Sequence, residues 1–326
     1  MSGFWLTEEQ EAIREGVAKV CAAFDDEYWR RTDETGEFPE AFVAAIAEGG
    51  WLGVAMPESV GGAGLGLTEA AVMMQTVAQS GAGFSGASAI HLNIFGPMPL
   101  VKFGSDEQRN RLLPRLISGE DKMCFAVTEP NSGLDTSSLE TRAEKVEGGY
   151  RLNGRKIWTT GAQRANKILI IARTTPKDQC AKPHQGLSLF YTDRENIEAK
   201  PIPKMGRKAV ECNMLFIEDL FVPAQDLVGE EGKGFQYLLH GLNPERVLFA
   251  VEAIGLGRAA LAKATTYANE RIVFGRPIGQ NQGVAHPLAK SWAELEAANL
   301  LAFKVAALYD AGQECGAEAN AAKYLG

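Results

Sequence analysis

Residues 123–138 read MCFAVTEPNSGLDTSS, a short apolar run that leads into a polar turn. Comparable apolar runs follow at 167–172 and 187–191, and turn-forming Pro, Gly, Asn and Asp residues separate them. Several short strands in succession predict a β-barrel or β-sandwich domain in this part of the chain. Residues 150–154 add a strand pattern that ends in Asn153-Gly154, a pair typical of a hairpin turn.

The sequence on both sides of this β segment has a helical period instead. Towards the N-terminus, Thr7 and Gln10 form a capping-box pattern at the start of an apolar helical repeat. Towards the C-terminus, apolar residues recur with a helical period over 243–272 and from about 286 to 309. The predicted fold class is therefore mostly α with a central β domain. The predicted domains are an N-terminal helical domain (1–120), a middle β-barrel or sandwich domain (121–228) and a C-terminal helical bundle (229–326).

Composition and charge limit the classes of partner. Apolar residues make up 45% of the 326 residues, and 33 basic against 41 acidic residues give a net charge of −8. No basic stripe suited to phosphates is present, so neither a nucleic-acid partner nor a membrane surface is expected. The sequence has no run of about 18 apolar residues. Glu8 and Glu9 stand where a signal peptide carries positive charge, so a cytoplasmic location is expected.

The cysteines and histidines show no metal-binding pattern. The five cysteines are scattered and without a CxxC pair, and the four histidines are equally dispersed. Neither a disulfide framework nor a metal site is expected.

Two glycine-rich stretches raise the question of a nucleotide site. A glycine-rich loop spans 61–66 between helical patterns, and Thr68 follows it as a predicted helix cap. Gly255 and Gly257 fall inside a helical pattern. Because no strand precedes either stretch, both fail the context of a dinucleotide-binding motif, and turn chemistry or close helix packing is favoured. A cofactor must be held by other residues.

The β segment carries side chains that suit a flat ring. Thr128 ends the first apolar run, and residues 155–162 read RKIWTTGA. Trp158 lies two positions before Thr160, so on a regular strand their side chains would share one face. Taken singly, each has a structural explanation, because tryptophan can fill a core and threonine favours strands.

In combination and in this order, these stretches resemble the acyl-CoA dehydrogenase family. The resemblance begins with VTEPNSGLD at 127–135 and KIWTTG at 156–161. It continues with VGEEGKGF at 228–235, LNPER at 242–246, and ERIVFGRPI at 270–278 followed by Gln282. The match covers nearly the whole chain, in the helical, β, helical order of the family's fold.

The resemblance implies that the cofactor is FAD. It implies that Thr128 meets the pyrimidine edge of the flavin, that Thr160 lies near N5 and that Trp158 covers the ring face. Backbone amides near Val127 and Thr128 are implied to hydrogen-bond the flavin, and Thr159 belongs to the same contact strand.

Further FAD contacts are implied to cross between subunits. Arg271 resembles the arginine that reaches the pyrophosphate of a neighbouring subunit's FAD, and Phe274 and Gln282 resemble contacts at the same interface. A homo-oligomer, tetramer or dimer, is therefore expected.

One position departs from the family, which often has Ser or Thr where this sequence has Leu134. That hydroxyl contacts the FAD phosphate. Ser132 or Thr136, or backbone amides, would have to take over the contact.

The family's reaction requires a base that removes a proton α to the thioester, a role that suits a carboxylate. Most members place it after a YGGxG-like stretch near the C-terminus. This sequence lacks that stretch, so the C-terminal part of the family's pattern is expected to be missing.

A minority, isovaleryl- and long-chain-type enzymes among them, place the base at the position of Glu245. The base is thus Glu245 or a residue beyond Gly326, with Arg246 expected to orient the carboxylate or support the helix start. The structural alternative is that Glu245 stabilises a helix dipole from the first turn.

The resemblance also places the acyl cavity at the helix around Ser88 to Pro99. Ser88, His91 and Phe95 fall on one helical face at spacings of three and four residues. Asn243 is expected as a further substrate contact.

The function implied is FAD-dependent α,β-dehydrogenation of an acyl-CoA, with electrons passed to an electron-transfer flavoprotein. Two alternatives stay open from the sequence. One is a flavin oxidase or monooxygenase on the same fold, and the other is a catalytically silent relative that binds acyl-CoA or flavin.

Overall fold

The computed structural model describes residues 6–326, in which helices flank one large β-sheet in sequence. The helices before the sheet are α1 (Glu8–Cys21), α2 (Asp26–Thr35), α3 (Glu40–Glu48), α4 (Leu67–Val77), α5 (Gly83–Phe95), α6 (Met98–Phe103) and α7 (Asp106–Ile117). The strands are β1 (Met123–Ala126), β2 (Arg142–Val146), β3 (Gly149–Thr160), β4 (Lys167–Arg173), β5 (Leu187–Asp193), β6 (Glu198–Pro201) and β7 (Cys212–Pro223). The later elements are α8 (Gly234–Glu270), a hairpin of β8 (Ile272–Val273) and β9 (Arg276–Pro277), α9 (Gln282–Asp310) and α10 (Gly316–Leu325). The predicted fold class is confirmed, and the domain boundaries remain predictions.

The seven strands β1 to β7 form a single sheet in the order β1-β4-β2-β3-β7-β6, with β5 paired to β4. β4 runs parallel to β1 and β2, and the other pairs are antiparallel. Side chains of β4 alternate between two hydrophobic clusters: Leu169 and Ile171 belong to one, and Ile168 and Ile170 to the other. Because both faces of this strand are buried, its sequence is a continuous apolar run.

The predicted turn at Asn153-Gly154 is wrong, because β3 continues through it. Val146 pairs with Gly149, so the hairpin turns at Glu147 and Gly148, where Gly148 has a φ of 78°. Gly154 serves a different purpose. A Cβ there would collide with Thr141, so the glycine allows a close approach between neighbouring segments.

Helix starts were predicted well where the cap is local. The capping box of Thr7 and Gln10 is present at the start of α1. Thr68, however, is not the cap of α4, since this helix begins at Leu67 after Gly66. The Asp310 carboxylate accepts from the N–H of Leu67 at 2.6 Å and that of Thr68 at 2.9 Å, and Glu69 of α4 itself accepts from the Gly66 N–H at 3.0 Å.

The chain divides into two compact units that do not follow its linear order. One comprises residues up to Arg30, Gly66–Ala87 and Asn243–Gly326, and it contains α4, α9 and α10. The other comprises Arg31–Leu65 and Ser88–Leu242, and it contains the seven-stranded sheet. In the first unit, a Cβ at Gly255 would lie 2.6 Å from the carbonyl oxygen of Gln75, so this glycine permits close helix packing, as predicted.

Candidate functional site

A buried ion pair fixes the turn that follows β1. Lys156 Nζ donates to the Glu129 carboxylate at 2.8 Å and to the Val127 carbonyl at 2.9 Å, and both charged side chains are buried. Glu129 also accepts from the backbone N–H groups of Glu140 and Thr141. The turn is thereby held against β3.

Burial and charge act on this pair in opposite directions. Burial lowers the pKa of Lys156 to about 8, against the attraction of the carboxylate. Burial acts to raise the pKa of Glu129, but the Lys156 ammonium and the hydrogen bonds from Thr141 and Glu140 hold it below its ordinary value. Sequence reasoning singled out neither residue, although a lysine next to Ile157-Trp158 in a strand is an uncommon core residue.

Directly after β1, the backbone carbonyl groups of Val127 and Thr128 are hydrogen-bonded within the described part of the chain, whereas their N–H groups are not. The Val127 carbonyl is engaged by Lys156, and the Thr128 carbonyl accepts from the Ile157 N–H at 2.9 Å. The N–H groups of Val127 and Thr128 donate to no acceptor within residues 6–326. Thr128 is half-buried. These donors and the threonine hydroxyl suit the carbonyl and ring-nitrogen acceptors of a heterocycle.

Trp158 lies in a bulge of β3. Its φ is 61°, in the left-handed region, and the pairing with β7 shifts between Lys156 and Thr159. The regular alternation on which the shared face of Trp158 and Thr160 was predicted is therefore absent. The Trp158 side chain is 59% exposed, whereas Thr159 is fully buried and Thr160 half-buried.

A buried amide holds this bulge. Asn213 Nδ2 donates to the Thr159 carbonyl at 3.0 Å, and Asn213 Oδ1 accepts from Gln163 Nε2 at 2.9 Å. Asn213 is fully buried, so the backbone on which Trp158 and Thr160 stand is fixed from beneath. Sequence reasoning missed Asn213, because its role depends on pairing between β3 and β7.

The polar turn after Glu129 leaves few free hydroxyls. Ser132 is buried and donates to the Asp135 carbonyl at 2.6 Å, so it is committed to the turn. The Leu134 side chain is fully exposed. Thr136 is half-buried, and its hydroxyl forms no hydrogen bond with any described residue. Of the two predicted replacements for a hydroxyl at position 134, Thr136 is the one that is available.

The candidate substrate residues of α5 lie in the unit that contains the sheet. Ser88 is buried and accepts from Arg207 at 2.7 Å, a residue that sequence reasoning did not select. The ring centres of His91 and Phe95 lie 4.7 Å apart, and those of Phe95 and Phe125 lie 5.4 Å apart. Ser88 lines a cavity of about 30 Å³, but His91 and Phe95 do not. It is large enough for one or two water molecules and too small for an acyl chain.

Glu245 lies inside α8, about three turns from its start at Gly234. The predicted helix start at residues 242–246 is thus wrong, because α8 continues through Pro244. The dipole explanation for Glu245 fails as well, since that effect is confined to the first turn. Arg246 does not orient the carboxylate in this structure but donates to Asn243 Oδ1 at 2.9 Å.

The partner of Glu245 comes from α10. Lys323 Nζ lies 2.8 Å from Oε1 and 3.1 Å from Oε2 of Glu245. The Glu245 side chain is 20% exposed. The same ammonium lies 4.8 Å from the centre of the Phe249 ring, one turn further along α8.

The hairpin between α8 and α9 carries the three remaining candidates. Phe274 and Gly275 form its turn with φ values of 53° and 75°, and Phe274 is fully exposed. The Arg271 side chain is exposed and forms no ion pair within the part of the chain that the structure describes. Gln282 is the first residue of α9 and is exposed. All three are accessible to a ligand or to a second chain.

The structure thus brings the sequence candidates together in separate groups. One unit joins Val127 and Thr128 to the Trp158 bulge. The other places Glu245 next to Lys323, a residue that the sequence did not single out. Within residues 6–326, no group of His, Cys, Asp and Glu side chains is suited to hold a metal ion. No helix in the same range is long and apolar enough to cross a membrane.

Comparison with known proteins gives a consistent result along the chain. Family models described as acyl-CoA dehydrogenase N-terminal, middle and C-terminal domains match residues 7–120, 124–220 and 232–326. Acyl-CoA dehydrogenase FadE12 of Mycobacterium tuberculosis is 34% identical over 99% of this chain and 83% of its own. Mitochondrial isovaleryl-CoA dehydrogenase of Oryza sativa is 31% identical over 96% of this chain and 76% of its own. The structure of butyryl-CoA dehydrogenase from Megasphaera elsdenii superimposes with a TM-score of 0.93 at 27% identity, covering 99% of this chain and 85% of that one.

Proposed function

The chain belongs to the acyl-CoA dehydrogenase family, and from this membership we propose that it oxidises an acyl-CoA thioester at its α and β carbons with FAD as cofactor. The observation that carries the proposal is the joining of the Val127-Thr128 turn to the Trp158 bulge. There, two backbone donors and an exposed aromatic ring are fixed by buried contacts of Lys156 and Asn213. This arrangement suits a planar ring with polar edges.

The residues present fit a flavin. The N–H groups of Val127 and Thr128 have no acceptor among the described residues, and the Trp158 ring is available for stacking. The Thr160 hydroxyl lies two positions further along the same strand. Bound FAD would accept the hydride that leaves the β carbon. Arg271, Phe274 and Gln282 would contact the FAD of a second subunit, which requires a homo-oligomer.

Glu245 is the base that we assign to the α proton. Its carboxylate is held by a charged partner, since Lys323 Nζ lies 2.8 Å from Oε1. Loss of the proton to Glu245 and of a hydride from the β carbon leaves a Cα=Cβ double bond conjugated with the thioester. Ser88, His91, Phe95 and Asn243 would contact the acyl chain.

We propose that an electron-transfer flavoprotein reoxidises the enzyme. Oxygen is the rival acceptor for an enzyme of this fold. Stopped-flow reoxidation of substrate-reduced protein separates the two, because a dehydrogenase reacts faster with the flavoprotein than with air.

The decisive experiment is anaerobic mixing of the flavin-loaded protein with a panel of acyl-CoAs. At least one should bleach the visible flavin absorbance. Glu245→Gln should still bind that acyl-CoA but reduce the flavin about 10²–10⁴ times more slowly, because general-base catalysis contributes a factor of this size. Glu270→Gln, at the exposed end of the same helix, is the control and should react as the unmodified protein does. Reduction by Glu245→Gln at the rate of the unmodified protein would move the base elsewhere, and no bleaching with any acyl-CoA would reject the dehydrogenase.

A further inference from the structure

The Glu245 carboxylate has one charged partner that the proposed reaction does not yet use. Lys323 contacts both of its oxygens, at 2.8 and 3.1 Å, from a helix that lies 78 positions away in sequence. Among the described residues, Lys323 is the only cation within 4 Å of this carboxylate. Arg246, the neighbouring cation on α8, is directed to Asn243 instead.

The ammonium is itself held in place. Its nitrogen lies 4.8 Å from the centre of the Phe249 ring, within range of a cation–π contact. The Phe249 ring packs against Phe84 with the ring centres 5.2 Å apart. An aromatic surface therefore supports the lysine, independently of the charge on Glu245.

We propose that Lys323 is a positioning residue that holds the Glu245 carboxylate in one orientation for removal of the α proton. This inference rests on the proposed role of Glu245. A two-point contact to both carboxylate oxygens restricts rotation of the carboxyl group. After proton transfer the carboxyl group is neutral and the ion pair is lost, while the Phe249 ring continues to hold the ammonium.

Exchange of the α hydrogen with solvent isolates this step. When the protein is incubated anaerobically in D₂O with an acyl-CoA whose β carbon carries no hydrogen, Glu245 can remove an α proton and return a deuteron. The C–H bond breaks and a C–D bond forms, and no electrons are transferred. The incorporation of deuterium, followed by mass spectrometry, therefore reports the base without flavin reduction.

Lys323→Met should slow this exchange about 10- to 100-fold, the loss expected for one hydrogen bond to a charged group. Lys323→Arg should restore most of the rate, because it keeps the charge. Flavin content and acyl-CoA binding should be unchanged in both variants. Lys263→Met, which removes an exposed ion pair with Asp26 in the same unit, should exchange at the unmodified rate.

Three other outcomes overturn the proposal. If Lys323→Met, and Lys323→Gln as a second folded variant, exchange as fast as the unmodified protein, Lys323 has no positioning role. If they exchange faster, the ion pair restrains the base instead of preparing it. If Glu245→Gln retains exchange, the base is another residue and the proposed role of Glu245 falls first. This last result is distinguishable because it appears without any change at Lys323.

Discussion

At the scale of single residues, the unusual feature is a tryptophan in the left-handed region of the backbone. A non-glycine residue there costs about 1–2 kcal/mol, and Trp158 has a φ of 61° with 59% of its side chain exposed. Neither burial nor backbone preference explains a tryptophan at this position. The proposed stacking of Trp158 on a flavin accounts for an exposed ring at this position.

Two substitutions separate the ring from the backbone. Trp158→Ala and Trp158→Gly should both lose flavin on gel filtration, because both remove the stacking surface. Without flavin, Trp158→Gly should be more stable than Trp158→Ala by about 1 kcal/mol, since glycine adopts a positive φ without strain. The measurements are the flavin-to-protein ratio and the urea midpoint of the flavin-free proteins. Normal flavin retention by both variants would show that the ring is not part of a flavin site.

At the scale of elements, α4 receives its N-terminal acceptor from a distant helix. The Asp310 carboxylate accepts from two backbone N–H groups and from the Thr68 hydroxyl at 2.6 Å.

Asp310→Ala should lower the free energy of unfolding by about 1–2 kcal/mol, the usual cost of a lost cap. Asp310→Asn should lose less, because it keeps one acceptor. Glu314→Ala, an exposed change nearby, should alter the free energy of unfolding by no more than about 0.5 kcal/mol, as measured by urea unfolding. Equal stability of Asp310→Ala and Glu314→Ala would contradict a capping role.

The same elements show what the sequence can and cannot predict. The capping box at Thr7 depends on residues three positions apart, so a local pattern revealed it. The β3 bulge depends on pairing with β7, and the Lys323 contact to Glu245 joins two helices that are far apart in sequence. Local periodicity contains neither kind of information. The family resemblance located Trp158 and Glu245, but the geometry at both positions came from the structure.

At the scale of the whole molecule, the exposed apolar hairpin bears on assembly. Phe274 is fully exposed, and Ile272 and Val273 beside it are 53% and 38% exposed. Since exposed apolar clusters often mark interfaces, Phe274→Ser should shift the protein towards smaller species and weaken flavin retention together. Met205→Ser, at an equally exposed apolar side chain outside the hairpin, should change neither. Sedimentation velocity and flavin content test both points. Loss of assembly with flavin retained would separate the interface from the cofactor site.

The contact between α4 and Asp310 also orders events during synthesis. Asp310 follows Leu67 by 243 positions. At about 5–20 residues per second, a ribosome needs about 10–50 seconds to cover that distance. During this interval the nascent α4 lacks the Asp310 acceptor, and the unit to which both belong is incomplete, because its segment Asn243–Gly326 has not been fully synthesised. The residues between them, which contain the whole seven-stranded sheet, are complete before that segment emerges. The whole segment that forms the sheet is therefore synthesised while the discontinuous helical unit is still unfinished.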